Sequence, residues 1–208
     1  MTPEGMTPEG TAPPASRRDL ILAAALDVVA AEGAIRVTYR RIAAAAGVPL
    51  GSVTYYFADL DQLLTEAFTR LAQTVSAHYR AQLEAARTPE EARDAVVDIM
   101  SGTLWTSDRD PLLTFELYAF AARTPALRTV LNSWMRASRD ALARHFDPLT
   151  ARALDALVEG FTLHNFFDDT PLGRDDIAAV VQALLERGRG LPQGPPEGLP
   201  EGLPEGKN

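Results

Sequence analysis

From Leu20 onward apolar residues recur every three to four positions, the spacing of helices with one buried face. Leu20, Ile21, Ala24, Ala25, Val28 and Val29 keep this rhythm behind Ser16-Arg17-Arg18-Asp19, which has the S-x-x-D form of a capping box. Gly33 stands where a glycine stop belongs. Thr38 is placed to cap a short second helix over 39–46. Gly47-Val48-Pro49 then reads as a tight turn, with the proline at or near the first position of a third helix. Phe57-Ala58-Asp59 ends that helix, and Asp59 caps a long fourth one running to about residue 86. Thr88-Pro89-Glu90-Glu91 opens a fifth. Further helices are predicted at about 110–122, 125–146, 149–168 and 173–189, opened by Pro111, Pro125, Pro148 and Pro171-Leu172-Gly173. No run alternates with period two, so the expectation is an all-α chain of about nine helices.

The two ends differ from this middle. MTPEG occurs twice in tandem at the start and PEGLPEGLPEG lies near the end, compositions that cannot bury apolar surface. Residues 1–15 and 190–208 are therefore expected to be disordered tails, inert or carrying a partner motif. The domains expected between them are 16–58 and 59–189. Hydrophobic residues make up 46% and charged residues 23%, the balance of a soluble globular protein. There is no cysteine, which excludes disulfides and thiolate metal sites and suits a cytoplasmic protein. No secretory signal or bilayer-spanning stretch is evident, so no membrane partner is expected.

Charge changes the picture locally. The net charge of −8 argues against a polyanionic partner, yet residues 33–58 hold three arginines and no acid. A surface that meets phosphate must avoid repelling it, and salt screens a distal acidic domain. Within this window Thr38 to Phe57 reads TYRRIAAAAGVPLGSVTYYF. Two short helices crossing steeply need a small residue at the crossing, here Ala43, and a glycine in the turn four residues on, here Gly47. Ile42, Val48 and Val53 are placed to anchor both helices. The rest of the second helix, Leu50, Gly51, Ser52, Thr54 and Tyr55, lacks the Glu and Lys of an ordinary solvated face.

This stretch, followed by D-L-D-Q-L-L, resembles the DNA-binding signature of tetracycline-repressor (TetR) type transcription regulators. The similarity is strong over Ser16 to Ala67, and helix order and length fit it through residue 189. It implies a helix-turn-helix joined by a long helix to a C-terminal dimerisation and ligand domain. It further implies a homodimeric repressor, nucleoid-associated when bound, that a small, largely apolar effector releases from a palindromic operator in double-stranded DNA. Thr38 and Tyr39 would meet phosphate at the start of the positioning helix. Arg40 matches a position reaching a base edge, with a phosphate or solvated role as the alternative. Leu50 offers apolar contact, Gly51 close backbone approach, and Ser52 and Thr54 short hydroxyls. Tyr55 and Tyr56 would contact the sugar-phosphate backbone, with packing as the alternative. One departure stands out: where such regulators often place a phosphate-holding lysine, this chain has Leu60 between Asp59 and Asp61. Modest affinity and a shallow salt dependence are expected from it.

The C-terminal half yields weaker expectations. Ala153, Leu157, Gly160, Phe161 and His164 form one stripe, and Ile177, Val180, Val181 and Leu184 another; both are candidates for a dimer interface, with internal core as the alternative. Met100, Leu104, Trp105, Phe115, Tyr118, Trp134 and Phe161 are candidate effector-pocket walls, with Thr103, Glu116, His164 and Asn165 as polar contacts. The histidines lack metal-ligand spacing and no catalytic motif is present, so no metal, cofactor or enzymatic activity is expected. The competing readings are a regulator without a ligand and a helical interaction protein that has lost DNA binding.

Overall fold

The computed structural model describes residues 16–103 and 109–188. Both expected tails, and the pocket candidates Leu104 and Trp105, lie outside the described residues. Nine α-helices and no strand occur among them: α1 Arg17–Glu32, α2 Tyr39–Ala45, α3 Leu50–Tyr56, α4 Leu60–Ala85, α5 Pro89–Asp98, α6 Arg109–Ala121, α7 Pro125–Leu142, α8 Pro148–Phe167 and α9 Arg174–Gly188. A 3-10 turn covers Ala34–Arg36, and a π turn continues α5 over Ile99–Thr103.

Helix boundaries follow local chemistry. The Ser16 hydroxyl accepts from the Asp19 amide at 3.1 Å while the Asp19 carboxylate accepts from the Ser16 amide at 3.2 Å, closing the expected box. Gly33 ends α1 at φ +77°, a conformation that favours glycine. Asp59 and Gln62 cap α4 reciprocally: Asp59 accepts from the Gln62 amide at 2.7 Å, and Gln62 accepts from the Ala58 amide at 2.9 Å. Thr88 and Asp147 cap α5 and α8, each followed by proline at the first helical position.

Pro49 is the cap of α3, extended at ψ 144°, next to the first helical position as the sequence predicts. Two details differ from expectation. Helix α7 stops at Leu142 instead of continuing to 146, because His145 and Arg144 turn the chain back onto α4. His145 Nε2 lies 2.9 Å from the Leu83 carbonyl, and Arg144 donates to Glu84 at 2.6 Å. The π turn was not foreseen; it contains Gly102 at φ +97°.

The chain divides into two compact units. The first holds the described residues up to His78 and those from 109 to Arg136. Its core includes Ile21, Ile42, Val53, Phe57, Leu63, Phe68, Leu113 and Leu117, all fully or almost fully buried. Here α1 packs on α2, α2 on α3, and α6 on α1. Each such side chain stabilises by about 1.5–3 kcal/mol relative to exposure. The exposed Asp19–Arg70 pair at 2.5 Å contributes at most about 1 kcal/mol. Apolar packing, not the charged rim, therefore holds the reading end of the chain together.

The second unit comprises Tyr79 to Thr103 and the described residues from Ala137 onward. Its core is Leu83, Val96, Ile99, Met100, Leu142, Leu154, Ile177 and Val181. Helix α8 packs on the π turn and on α9, and α9 on α5. Arg174 at the start of α9 pairs with Asp98 at the end of α5 at 2.8 Å.

Candidate nucleic-acid interface

Helices α2 and α3 form the crossing that the sequence predicts. Ala43 is buried where they meet, Gly47 takes φ +62° in the turn, and Ile42 and Val53 are wholly buried. Phe57 closes the base of α3 at 1% exposure, with the Arg18 guanidinium 5.1 Å from its ring centre. Arg18 also pairs with Glu66. Helix α3 is thus fixed from beneath, and its outer face is open.

That outer face carries Leu50, Gly51, Thr54 and Tyr55, all exposed, with Tyr55 at 83%. Ser52 and Tyr56 are half-buried. The Tyr55 and Tyr56 rings meet edge to face at 5.1 Å, which holds both at the end of α3. No atom lies within 4 Å of a Cβ built on Gly51, so another molecule's backbone can approach there. The Thr54 hydroxyl donates to the Gly51 carbonyl at 3.3 Å, leaving its lone pairs and methyl group outward.

Around α2 the predicted residues separate. Arg40 is exposed, as a base-reading side chain must be. Arg41 pairs with Glu32 and donates to the Arg36 carbonyl at 3.2 Å, so it fastens α2 to the preceding turn. The Thr38 hydroxyl accepts from the Arg41 amide at 3.3 Å, making the residue a helix cap first. Tyr39 is half-buried. Its hydroxyl is buried with no hydrogen-bond partner among the described residues, and burial, reinforced by Asp59 and Asp61, raises its pKa. At the start of α4 the Asp59 carboxylate already accepts from the Gln62 backbone amide, one of the donors a helix start offers to an anion.

The other candidates fall on both units. Phe115, Glu116, Tyr118 and Trp134 belong to the first, and Met100, Phe161, His164 and Asn165 to the second; Thr103 ends the π turn. Met100 and Trp134 are core residues at 2% and 7% exposure. Glu116 is engaged elsewhere than a pocket: its carboxylate accepts from the Ala34 amide at 3.3 Å, bracing α6 against the turn behind α1. The Asn165 side-chain oxygen Oδ1 accepts from the Leu172 amide at 3.2 Å and shapes the connection to α9. His164 is exposed and lines a shallow hollow with Leu163, Phe167, Asp168 and Asp169.

Among the interface candidates, Ile177 and Val181 are wholly buried inside this chain, so the internal-core alternative holds for these two and they are not available to a dimer interface. Ala153, Leu157, Gly160, Phe161 and Leu184 are half-buried, and His164 and Val180 exposed. Sequence reasoning missed Leu163 and Phe167, which are exposed at 45% and 68%. They stand three and seven residues beyond Gly160, so helical spacing from that glycine identifies them. Among the described residues no helix is long and apolar enough to cross a membrane, and no three metal-binding side chains cluster.

Comparison with known proteins agrees with this geometry. Residues 21–67 match the family model for bacterial regulatory proteins of the tetR family, and residues 87–187 match the tetracyclin repressor-like C-terminal domain. The putative transcriptional regulator SCO7518 of Streptomyces coelicolor A3(2) is 49% identical, covers 81% of this chain and 97% of its own, and superposes with a TM-score of 0.74. The multidrug binding protein EbrR, solved with imidazole, is 34% identical over 82% of this chain and 95% of its own, with a TM-score of 0.68. The transcriptional regulator BetI of Agrobacterium fabrum is 26% identical over 80% of this chain and 84% of its own length. An acid-free recognition helix on a trihelical base, with both family models matched in order, makes this chain a member of the TetR family of DNA-binding transcription regulators and not an enzyme.

Proposed function

We propose that the protein is a homodimeric repressor that sets α3 of each copy into the major groove of a two-fold operator and is released by a small, largely apolar effector. The observation that carries this reading is the outer face of α3: Leu50, Gly51, Thr54 and Tyr55 stand exposed beside Arg40, with no acid from Gly33 to Ala58. One such helix makes too few base contacts for specificity, and a two-fold pair doubles them. The apolar residues left open on α8 and α9 supply the pairing surface. Leu163, Phe167 and Val180 are all exposed, and Gly160 opens onto empty space where a second helix can approach. EbrR has been solved with ethidium, proflavin and malachite green, which supports an effector with a flat aromatic body.

Fluorescence anisotropy on DNA from upstream of the protein's own gene tests the reading. Binding should exceed that to scrambled DNA, and both Arg40→Ala and Tyr56→Phe should weaken it. With Arg18, Arg41 and Arg70 already paired, few cations remain for phosphate. The log–log salt slope should therefore be shallower than about −6. A slope of about −8 to −10 contradicts this account of the interface. Equal binding to operator and scrambled DNA, after a random-sequence selection has also failed, overturns the function.

A further inference from the structure

Arg18 sits at the second position of α1, where the positive end of the helix dipole disfavours a cation. What favours it there must come from outside that helix. Two partners are present. Its guanidinium pairs with Glu66 of α4 and lies 5.1 Å from the centre of the Phe57 ring at the end of α3. A planar guanidinium can meet a carboxylate with its edge while its face lies on a ring; an ammonium cannot.

From Arg18 the contacts run on in two directions. Toward the outer face of α3, the Phe57 ring lies 6.5 Å from that of Tyr56, which meets Tyr55 edge to face at 5.1 Å. Toward the connection into α4, Glu66 accepts from Gln62 Nε2 at 3.0 Å, and Gln62 Oε1 accepts from the Ala58 amide at 2.9 Å. Both lines act on the C-terminal end of α3. That helix has seven residues, too few to hold its own direction, and Val53 and Phe57 are its buried anchors.

We infer that Arg18 is a positioning residue for DNA recognition, setting the direction of α3 through Phe57 and Glu66 and touching no phosphate itself. The inference rests on the proposed reading of DNA by α3, and not on repression or an effector. A phosphate contact acts on all DNA alike and releases counterions, whereas a positioning residue acts on the fit to base edges and leaves ion release unchanged. The neighbouring Asp19–Arg70 pair supplies a comparison. It joins the same two helices one turn further along α4, and among the described residues neither member bonds to α3.

The test is fluorescence anisotropy of the full-length protein on a duplex that wild type picks from random sequence, and on scrambled DNA. Arg18→Met keeps an unbranched stem and drops the guanidinium. It should weaken binding to the picked duplex about tenfold and to scrambled DNA less than about threefold, with the log–log salt slope unchanged. Arg18→Lys should not restore the affinity. Glu66→Ala should lose about fivefold, and the double variant with Arg18→Met no more than about tenfold, because both act through one set of contacts. Arg70→Gln should bind within about twofold of wild type, and all variants should melt within about 4 °C of it. Restored affinity in Arg18→Lys, with a slope shallower by about 1 per protomer in Arg18→Met, makes Arg18 a phosphate contact and overturns the role. Equal losses on both duplexes with a lower melting temperature mark a merely structural pair and overturn it as well. So does a loss in Arg70→Gln that matches Arg18→Met. A wild-type protein that picks no sequence sinks the reading of DNA by α3 and this role with it. A selective wild type beside an equally selective and equally tight Arg18→Met sinks the role of Arg18 alone.

Discussion

Two helices of this protein carry a glycine that opposes nothing: Gly51 on α3 and Gly160 on α8. At neither would a Cβ meet an atom within 4 Å. Neither glycine, then, serves close packing within the chain, although Gly160, in mid-helix, costs about 1 kcal/mol relative to alanine. Their surroundings differ. Gly51 is bordered by Leu50, Thr54 and Tyr55, a mixed face of hydroxyl and aromatic groups with no acid in reach along the helix. Gly160 is followed on its face by Leu163, His164 and Phe167, a mainly apolar strip. The same omission of a side chain suits two kinds of approach, a sugar-phosphate backbone at Gly51 and another helix at Gly160. The neighbours, not the glycine, tell them apart.

The sharpest way to break this comparison is to fill the second gap. Gly160→Leu should convert the dimer to monomer in sedimentation velocity and lower operator affinity about 100-fold or more, because each head then binds alone. A dimeric Gly160→Leu protein places the pairing surface elsewhere. At the first gap the test lies in a neighbour. Arg40→Ala should lose about 10- to 100-fold on the operator and far less on random DNA, as a base contact does. A uniform loss on both would make Arg40 a phosphate contact.

A smaller effect separates the two units by pH. The Asp155 carboxyl has an ordinary value of 3.8, and burial raises it to about 6 in the folded protein. An acid with a raised folded-state pKa favours folding in its protonated form. That contribution is fully present below about pH 4 and is lost as pH rises through about 6. Arg139 and Arg152 pull it downward without overcoming burial. Asp155→Asn should therefore stabilise the protein at neutral pH by about 1 kcal/mol more than at pH 4, read from urea unfolding at both. A pH-independent difference would show that burial does not raise this carboxyl. Smallest of all, Glu116→Gln should cost about 0.5–1 kcal/mol in the same assay, through the weakened bond to the Ala34 amide.

Most of the reading head was legible in the sequence because its determinants are local. Ser16, Thr38 and Gly47 act within four residues of themselves, and Ile42 and Val53 follow from helical spacing. The surroundings of the Tyr39 hydroxyl were not legible, because the burial that raises its pKa, and the Asp59 and Asp61 charges that add to it, come from elsewhere in the chain. The same reason hid the duties of Glu116 and Asn165. Glu116 reaches a backbone amide 82 positions away, and no pattern in α6 announces that. Ile177 and Val181 show the converse limit. Periodicity locates an apolar stripe but cannot say whether its cover comes from the same chain.

The brace between Glu116 and Ala34 has a consequence for exchange with solvent deuterium. Ala34 opens a single 3-10 turn of three residues, and an amide in so short an element normally exchanges within moments. Held by a carboxylate from α6, this one should exchange slowly, at a rate set by how often α6 lifts away from α1. One backbone proton thus becomes a natural clock for the brace, readable without a label and without DNA.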